Sequence, residues 1–247
     1  MELKGKVALI TGGGTGIGRA TALKLANRGV NIVVNYSKSA REAEETVEEL
    51  KELGVKALAY KADVAKDEEV KAMCRYVVKT LGRIDLVINS AGATDYVSLK
   101  DLDGMRDEYW DRAFNTNVKG IFHTVRACKE ELIKNKGSVI NVTSIAGLTG
   151  KGSSMAYAAS KAAANSVTKS LALALAPDVR VNAVAPGIVL TRWVEGRDDH
   201  IRNLSQGTPM GRPAQPEDVA NAIMGLITGG GFITGQILVV DGGFTIS

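Results

Sequence analysis

Tyr157 and Lys161 stand four apart in a stretch that reads as a helix from about Met155 to Ala176, so both side chains leave one face a turn apart. A phenol titrates near pH ~10, too high for proton exchange at neutrality, and a neighbouring ammonium favours the phenolate. The pair predicts a general acid–base group whose proton affinity the lysine lowers by roughly two to three pH units. Ser144 follows an apolar run from Ser138 to Thr143, at the carboxyl end of what reads as a strand. Open α/β sheets bind ligands at that edge, so its hydroxyl is placed to hold a reacting oxygen.

A different chemistry sits near the start of the chain, where Thr11-Gly12-Gly13-Gly14-Thr15-Gly16-Ile17-Gly18 joins the first apolar run to a helix. Strand, glycine turn and helix start together make an anion site. Backbone N–H groups and the positive end of the helix dipole converge where β-carbons would block a pyrophosphate. The spacing of Gly12, Gly16 and Gly18 differs from the common G-x-G-x-x-G fingerprint, so position after a first strand carries the inference.

The elements that must hold these residues are legible as short apolar runs alternating with amphipathic stretches. Val7 to Thr11, Asn31 to Asn35, Ala57 to Lys61, Ile84 to Asn89, Ser138 to Thr143, Arg180 to Ala185 and Ile237 to Val240 read as strands. Runs such as Val-Ala-Leu-Ile show no polar alternation, as expected where helices cover both faces of a parallel sheet. That predicts a doubly wound three-layer α/β domain with a seven-stranded parallel sheet, a single domain over residues 1–247. Ser39 and Glu42 predict a capping box opening a helix that turns Val47, Leu50 and Leu53 inward and stops at Gly54. Pro216, Glu217 and Asp218 predict the start of another helix running to about Thr228.

Composition excludes several other roles. Among 247 residues, 31 Lys and Arg against 27 Asp and Glu leave a formal charge of +4, interleaved along the chain, so no nucleic-acid footprint stands out. His123 and His200 are the only histidines, and Cys74 and Cys128 share no metal-type spacing, so no metal site is expected and the cysteines read as packing residues. No apolar run of membrane-spanning length or signal segment is visible; a soluble, reducing, cytoplasmic setting is expected, with no membrane partner. No Gly-x-Ser-x-Gly elbow occurs, which argues against a hydrolase.

In order and over almost the whole chain, the glycine turn, Asp63-Val64, Asn89-Ser90-Ala91-Gly92, Asn117, Ser144, Tyr157-x-x-x-Lys161 and Pro186-Gly187 resemble the single-domain short-chain dehydrogenase/reductase superfamily. The resemblance implies a Rossmann fold and hydride transfer between a nicotinamide cofactor and a ketone or secondary alcohol, with Asn117, Ser144, Tyr157 and Lys161 as a catalytic tetrad. It implies cofactor contacts at Gly12, Thr15, Gly16 and Ile17 in the turn, and at Asp63, next to Val64, on the adenine amino group. Asn89, Ala91 and Gly92 would pass under the adenosine. Lys161 would tie the nicotinamide ribose beside Tyr157, and Pro186, Gly187, Val189 and Thr191 would complete the nicotinamide end. The backbone carbonyl of Asn117 would hold a water linking Lys161 to solvent. Ser90 departs from the family's more frequent second asparagine.

Within this resemblance, the second strand ends in Asn35-Tyr36-Ser37-Lys38-Ser39, with no carboxylate to accept two ribose hydroxyls and repel a 2′-phosphate. Asn35, Ser37 and Lys38 therefore predict NADP(H) in preference to NAD(H), although Thr15 stands where a basic residue often strengthens that preference. Residues of about 188–212, with Trp193, Arg197, Asp198, Asp199 and His200, would form a mobile lid over the substrate. The closest look is to 3-oxoacyl-(acyl-carrier-protein) reductases, yet Leu173 and Asn135 replace basic residues thought to grip the carrier, so carrier docking is doubtful. A carbonyl reductase or an alcohol or sugar dehydrogenase acting on a free small molecule is the alternative, and a non-catalytic NADP-binding regulator is the alternative of another class. The small apolar helix after Tyr157 has more apolar circumference than one sheet can cover, which predicts a homotetramer with Leu171 to Leu175 at or next to an interface.

Overall fold

The computed structural model describes residues 2–194, 196 and 207–247. Its elements alternate as expected: β1 (Val7–Thr11), α1 (Gly16–Ala26), β2 (Asn31–Tyr36), α2 (Ala40–Glu52), β3 (Ala57–Lys61), α3 (Asp67–Leu81) and β4 (Leu86–Asn89) form the first half. The second half runs α4 (Asp107–Phe114), a π-helical turn (Asn115–Lys119), α5 (Gly120–Lys134), β5 (Ser138–Val142), α6 (Ala146–Thr149), α7 (Met155–Leu175), β6 (Arg180–Pro186), α8 (Pro216–Thr228) and β7 (Ile237–Val240). One-turn 3-10 helices lie at Arg192–Val194 and Phe244–Ile246. The strands form one parallel sheet in the order β3-β2-β1-β4-β5-β6-β7.

Period-two alternation explains why the strands are apolar throughout. On β1, Ala8 and Ile10 enter the core shared with α1, α2 and α8, while Val7 and Leu9 enter the opposite core shared with α3, α5 and α7. The order reverses between β1 and β4, which opens a crevice at the carboxyl ends of the strands. The glycine turn, Ser144 and the start of α7 all lie at that end.

Some boundaries differ from expectation. β4 begins at Leu86 rather than Ile84; just before it, the Asp85 backbone donates to Val7 O at 2.9 Å and accepts from Ser138 N at 3.0 Å, while its carboxylate accepts from Val7 N at 2.9 Å, Lys6 Nζ at 3.0 Å and Arg83 Nη2 at 2.7 Å. Ser39 and Glu42 form no capping box; the Ser39 Oγ instead accepts from Arg192 Nη1 at 2.8 Å. Leu53 is the helix cap and stands exposed rather than inward. On α8 the capping box forms between Gln215 and Asp218, one residue ahead of the expected Pro216 start signal.

Candidate active site

The glycine turn owes its shape to close backbone approach. Gly12 has φ +63°, and a β-carbon there would lie 3.1 Å from the Ala91 backbone; one on Gly18 would lie 2.4 Å from the Gly12 carbonyl oxygen. Any side chain at Gly18 would force the turn apart. The Thr11 hydroxyl fixes the next loop by accepting from the N–H groups of Ser90 and Ala91, both at 3.1 Å. Thr15 precedes α1 with no side-chain cap bond, and the first turn of α1 holds no acidic residue. The amide groups at this helix start therefore face an anion site uncontested by side-chain carboxylates of that turn.

One cleft of about 1110 Å³ runs from this turn to α7. Gly12, Thr15, Gly16, Ile17, Asn35, Ser37, Lys38, Asp63, Val64, Ala91, Gly92, Ser144, Tyr157, Lys161, Pro186, Gly187, Val189 and Thr191 all line it. Asn117 and Asn89 stand just behind its wall. The buried Asn89 Nδ2 donates to Asn141 Oδ1 at 2.8 Å, and Asn141 Nδ2 donates to Thr168 Oγ1 at 2.9 Å, tying β4, β5 and α7 beneath the floor. Asn89 Oδ1 is buried with no hydrogen-bond partner. The bare glycine cradle and the uncapped helix start, opening on one long cleft, fit a dinucleotide.

At the other end, Ser154 caps α7 by accepting from Tyr157 N at 3.2 Å, which sets the tyrosine on the first turn. Its phenol is half-buried and lines the same cleft as Ser144, whose hydroxyl is near enough to act on its proton affinity. Lys161 Nζ donates to the Val142 carbonyl at 2.9 Å and stands 5.6 Å from the centre of the Tyr157 ring. Burial pushes the phenol up to about 12, against the lowering influence of Ser144, and pushes the lysine down to about 8. The expected drop in the tyrosine's proton affinity is therefore not what this arrangement gives. Removing both groups from water disfavours both charged forms, and the ammonium is engaged with a carbonyl rather than with the phenol.

Asn117 sits in the π-helical turn, a widening of the helix that re-routes backbone pairing and recurs at functional sites. Its side chain is fully engaged: Nδ2 donates to Ala93 O and to Ser160 Oγ, each at 2.9 Å, and Oδ1 accepts from Ala93 N at 2.8 Å. Since Ser160 Oγ donates to the Tyr157 carbonyl at 2.7 Å, this asparagine locks the loop after β4 to the first turn of α7. Any direct contact with reacting groups falls to its backbone.

Asn35 lines the cleft, yet its amide Nδ2 is spent on the carbonyls of Ala62 at 2.9 Å and Tyr60 at 3.3 Å, while Ser37 and Lys38 are exposed beyond it. Asp63 accepts from Ala65 N at 3.0 Å through one oxygen. The segment expected to form a lid is tied where it leaves β6: Leu190 N donates to Ala214 O at 2.9 Å and Ala214 N to Ile188 O at 3.0 Å. Arg197, Asp198, Asp199 and His200 lie outside the described residues. Trp193 packs its ring edge on Tyr157, centroids 6.1 Å apart at 67°, and its carbonyl accepts from Tyr96 Oη at 2.6 Å. Tyr96 and Arg192 carry no motif that marks them, because their partners are distant in the chain. No group of His, Cys, Asp and Glu among the described residues is arranged to hold a metal. No helix among them is long and apolar enough to cross a membrane.

Comparison with known proteins places this geometry. The family described as enoyl-(acyl carrier protein) reductase matches residues 12–245. The chain is 38% identical over 244 residues to the 3-oxoacyl-(acyl-carrier-protein) reductase FabG of Staphylococcus epidermidis, covering 96% of this chain and 98% of that one. It is 39% identical over 249 residues to a 3-oxoacyl-(acyl-carrier-protein) reductase of Synechocystis, covering 99% and 98%. A crystal structure of a short chain dehydrogenase from Burkholderia cenocepacia, in complex with NADP, superposes with a TM-score of 0.92 at 31% identity, covering 99% of this chain and all of that one.

Proposed function

The chain belongs to the short-chain dehydrogenase/reductase family of NAD(P)-dependent oxidoreductases, and on that premise we propose that it reduces the ketone of a 3-oxoacyl thioester with NADPH. The observation that carries this reading is that Tyr157, Ser144 and Lys161 line one end of a cleft whose other end is the glycine turn. A bound nicotinamide dinucleotide supplies the hydride. Ser144 and Tyr157 hold the substrate oxygen between their hydroxyls. Tyr157, a neutral phenol at pH 7, donates its proton to that oxygen as negative charge develops on it. Lys161 keeps a positive charge on the cleft floor near the phenol, held on the Val142 carbonyl, and the Asn117 turn positions the path by which solvent replaces the proton. The relatives' names and the NADP complex support the substrate class and the cofactor; so does the exposed Ser37-Lys38 loop, which offers donors and no carboxylate.

A second reading, reduction of a free small carbonyl compound, is favoured by two positions. Leu173 is 84% exposed and apolar, and Asn135 spends its amide on Ile84 O at 3.1 Å, so neither offers a cation to an acidic carrier protein. Rates of NADPH consumption with 3-oxoacyl thioesters on carrier protein, on coenzyme A, and with free ketones separate the two. Carrier-bound substrate preferred over its coenzyme A analogue supports docking, and free ketones turned over faster than both support the second reading.

The proposal includes a homotetramer. Leu173, Phe232 and Ile246 are large apolar side chains at 84%, 104% and 90% exposure. The C-terminal segment does reach α7, since Gly235 approaches the Ala172 methyl, but it leaves Leu173 uncovered. A cytoplasmic setting is part of the same reading.

A further inference from the structure

Arg192 opens the one-turn helix that follows β6, on the nicotinamide side of the cleft, yet its guanidinium reaches the opposite rim. Nη1 donates to Ser39 Oγ at 2.8 Å and lies 3.3 Å from Glu42 Oε1, while the side chain stays 48% exposed. The residue before it is anchored over the glycine turn: the Thr191 methyl lies 3.1 Å from where a β-carbon on Gly16 would stand. Ser39 directly follows Ser37-Lys38, the loop at the end of β2 where this fold meets the adenosine ribose. The arginine thus forms a strap across the cleft, from the substrate lid to the ribose loop.

We propose that Arg192 is a 2′-phosphate ligand supplied by the lid, one that discriminates adenosine 2′-phosphates from the free ribose and ties the adenosine end of the cleft to the substrate end. The inference rests on the NADP(H) reading of the ribose loop. Among the described residues Glu42 is the carboxylate that Arg192 touches, and left alone it would repel a dianion; the guanidinium cancels it and brings further N–H donors in a planar fork suited to phosphate oxygens. Lys38 adds a point charge to the same loop. The next residue along, Trp193, is the one packed on Tyr157, so a phosphate that holds Arg192 also holds the indole over the proton donor. Thr15, neutral where a cation would strengthen phosphate binding from the glycine turn, leaves that role to a residue elsewhere in the chain.

The test is calorimetric and needs no turnover: full-length wild type and Arg192→Ala are titrated with adenosine 2′,5′-bisphosphate and with 5′-AMP, which lacks the 2′-phosphate. The proposal predicts that the substitution weakens the bisphosphate by about 10-fold or more and 5′-AMP by less than about twofold. In a Trp110→Phe background, the bisphosphate but not 5′-AMP alters Trp193 fluorescence, and Arg192→Ala abolishes the response. Equal weakening of both nucleotides assigns Arg192 to lid structure and overturns the proposal, as does an unchanged bisphosphate affinity. If Ser37→Asp weakens the bisphosphate while Arg192→Ala does not, the ribose-loop reading stands and Arg192 is excluded from it. If the wild type binds both nucleotides equally, the NADP(H) reading fails and the proposal falls with it.

Discussion

Lys161 gives its ammonium to the carbonyl of Val142 at 2.9 Å and leaves it 5.6 Å from the ring centre of Tyr157, one turn earlier on α7. Lys161 is buried and Tyr157 half-buried at the cleft, and loss of water moves them in opposite directions: the phenol up to about 12, the lysine down to about 8. A phenol that keeps its proton at neutrality fits the role of proton donor proposed for Tyr157.

The two directions of the reaction should respond oppositely to pH. Lys161 is charged below about 8 and loses its proton above it, so reduction should hold steady through neutrality and decline beyond that point. Alcohol oxidation needs the phenol to give up its proton and should rise with pH over the same interval. Pre-steady-state rates in both directions between pH 6 and 10 check this; a reduction rate that rises with pH contradicts the assignment.

Two substitutions at the ribose loop should behave differently although both add a carboxylate. Ser37→Asp, at an exposed position, should disfavour NADPH by about 1 to 4 kcal/mol and shift preference towards NADH. Asn35→Asp should instead lower the melting temperature, because the buried amide there donates to the carbonyls of Ala62 and Tyr60 and a carboxylate would face acceptors with nothing to donate. Cofactor titrations and thermal melts of both variants distinguish the effects; an Asn35→Asp protein as stable as wild type removes the structural role given to that amide.

Sedimentation at micromolar concentration should return about four times the 26.1 kDa protomer mass, and Leu173→Glu should reduce it. A single species at the protomer mass contradicts the assembly, and a stable dimer contradicts only the tetramer.

The sheet was readable because its strands are buried on both faces and leave uninterrupted apolar runs such as Val7 to Thr11, and the glycine turn because close approach at Gly12 and Gly18 tolerates no side chain. Ser144, Tyr157 and Lys161 were readable from position along strand and helix. Charge at the site was not: which carbonyl Lys161 would meet depends on how α7 lies over β5, and spacing along one helix holds no trace of it. The same holds for Ser39, whose expected cap was lost to Arg192, 153 residues away. Contacts between distant segments decide such details, and local pattern is silent on them.

The central claim is that Tyr157 protonates the oxygen of a ketone during NADPH-dependent reduction. The most direct measurement compares wild type and Tyr157→Phe in kcat for a 3-oxoacyl thioester and in the dissociation constant for NADPH. Wild type should consume NADPH and form the 3-hydroxyacyl thioester in equal amounts, and the variant should lose about 10²- to 10⁴-fold in kcat while binding NADPH as tightly. A variant retaining more than about a tenth of the wild-type rate, or a wild type that binds NADPH and reduces no ketone, contradicts the account.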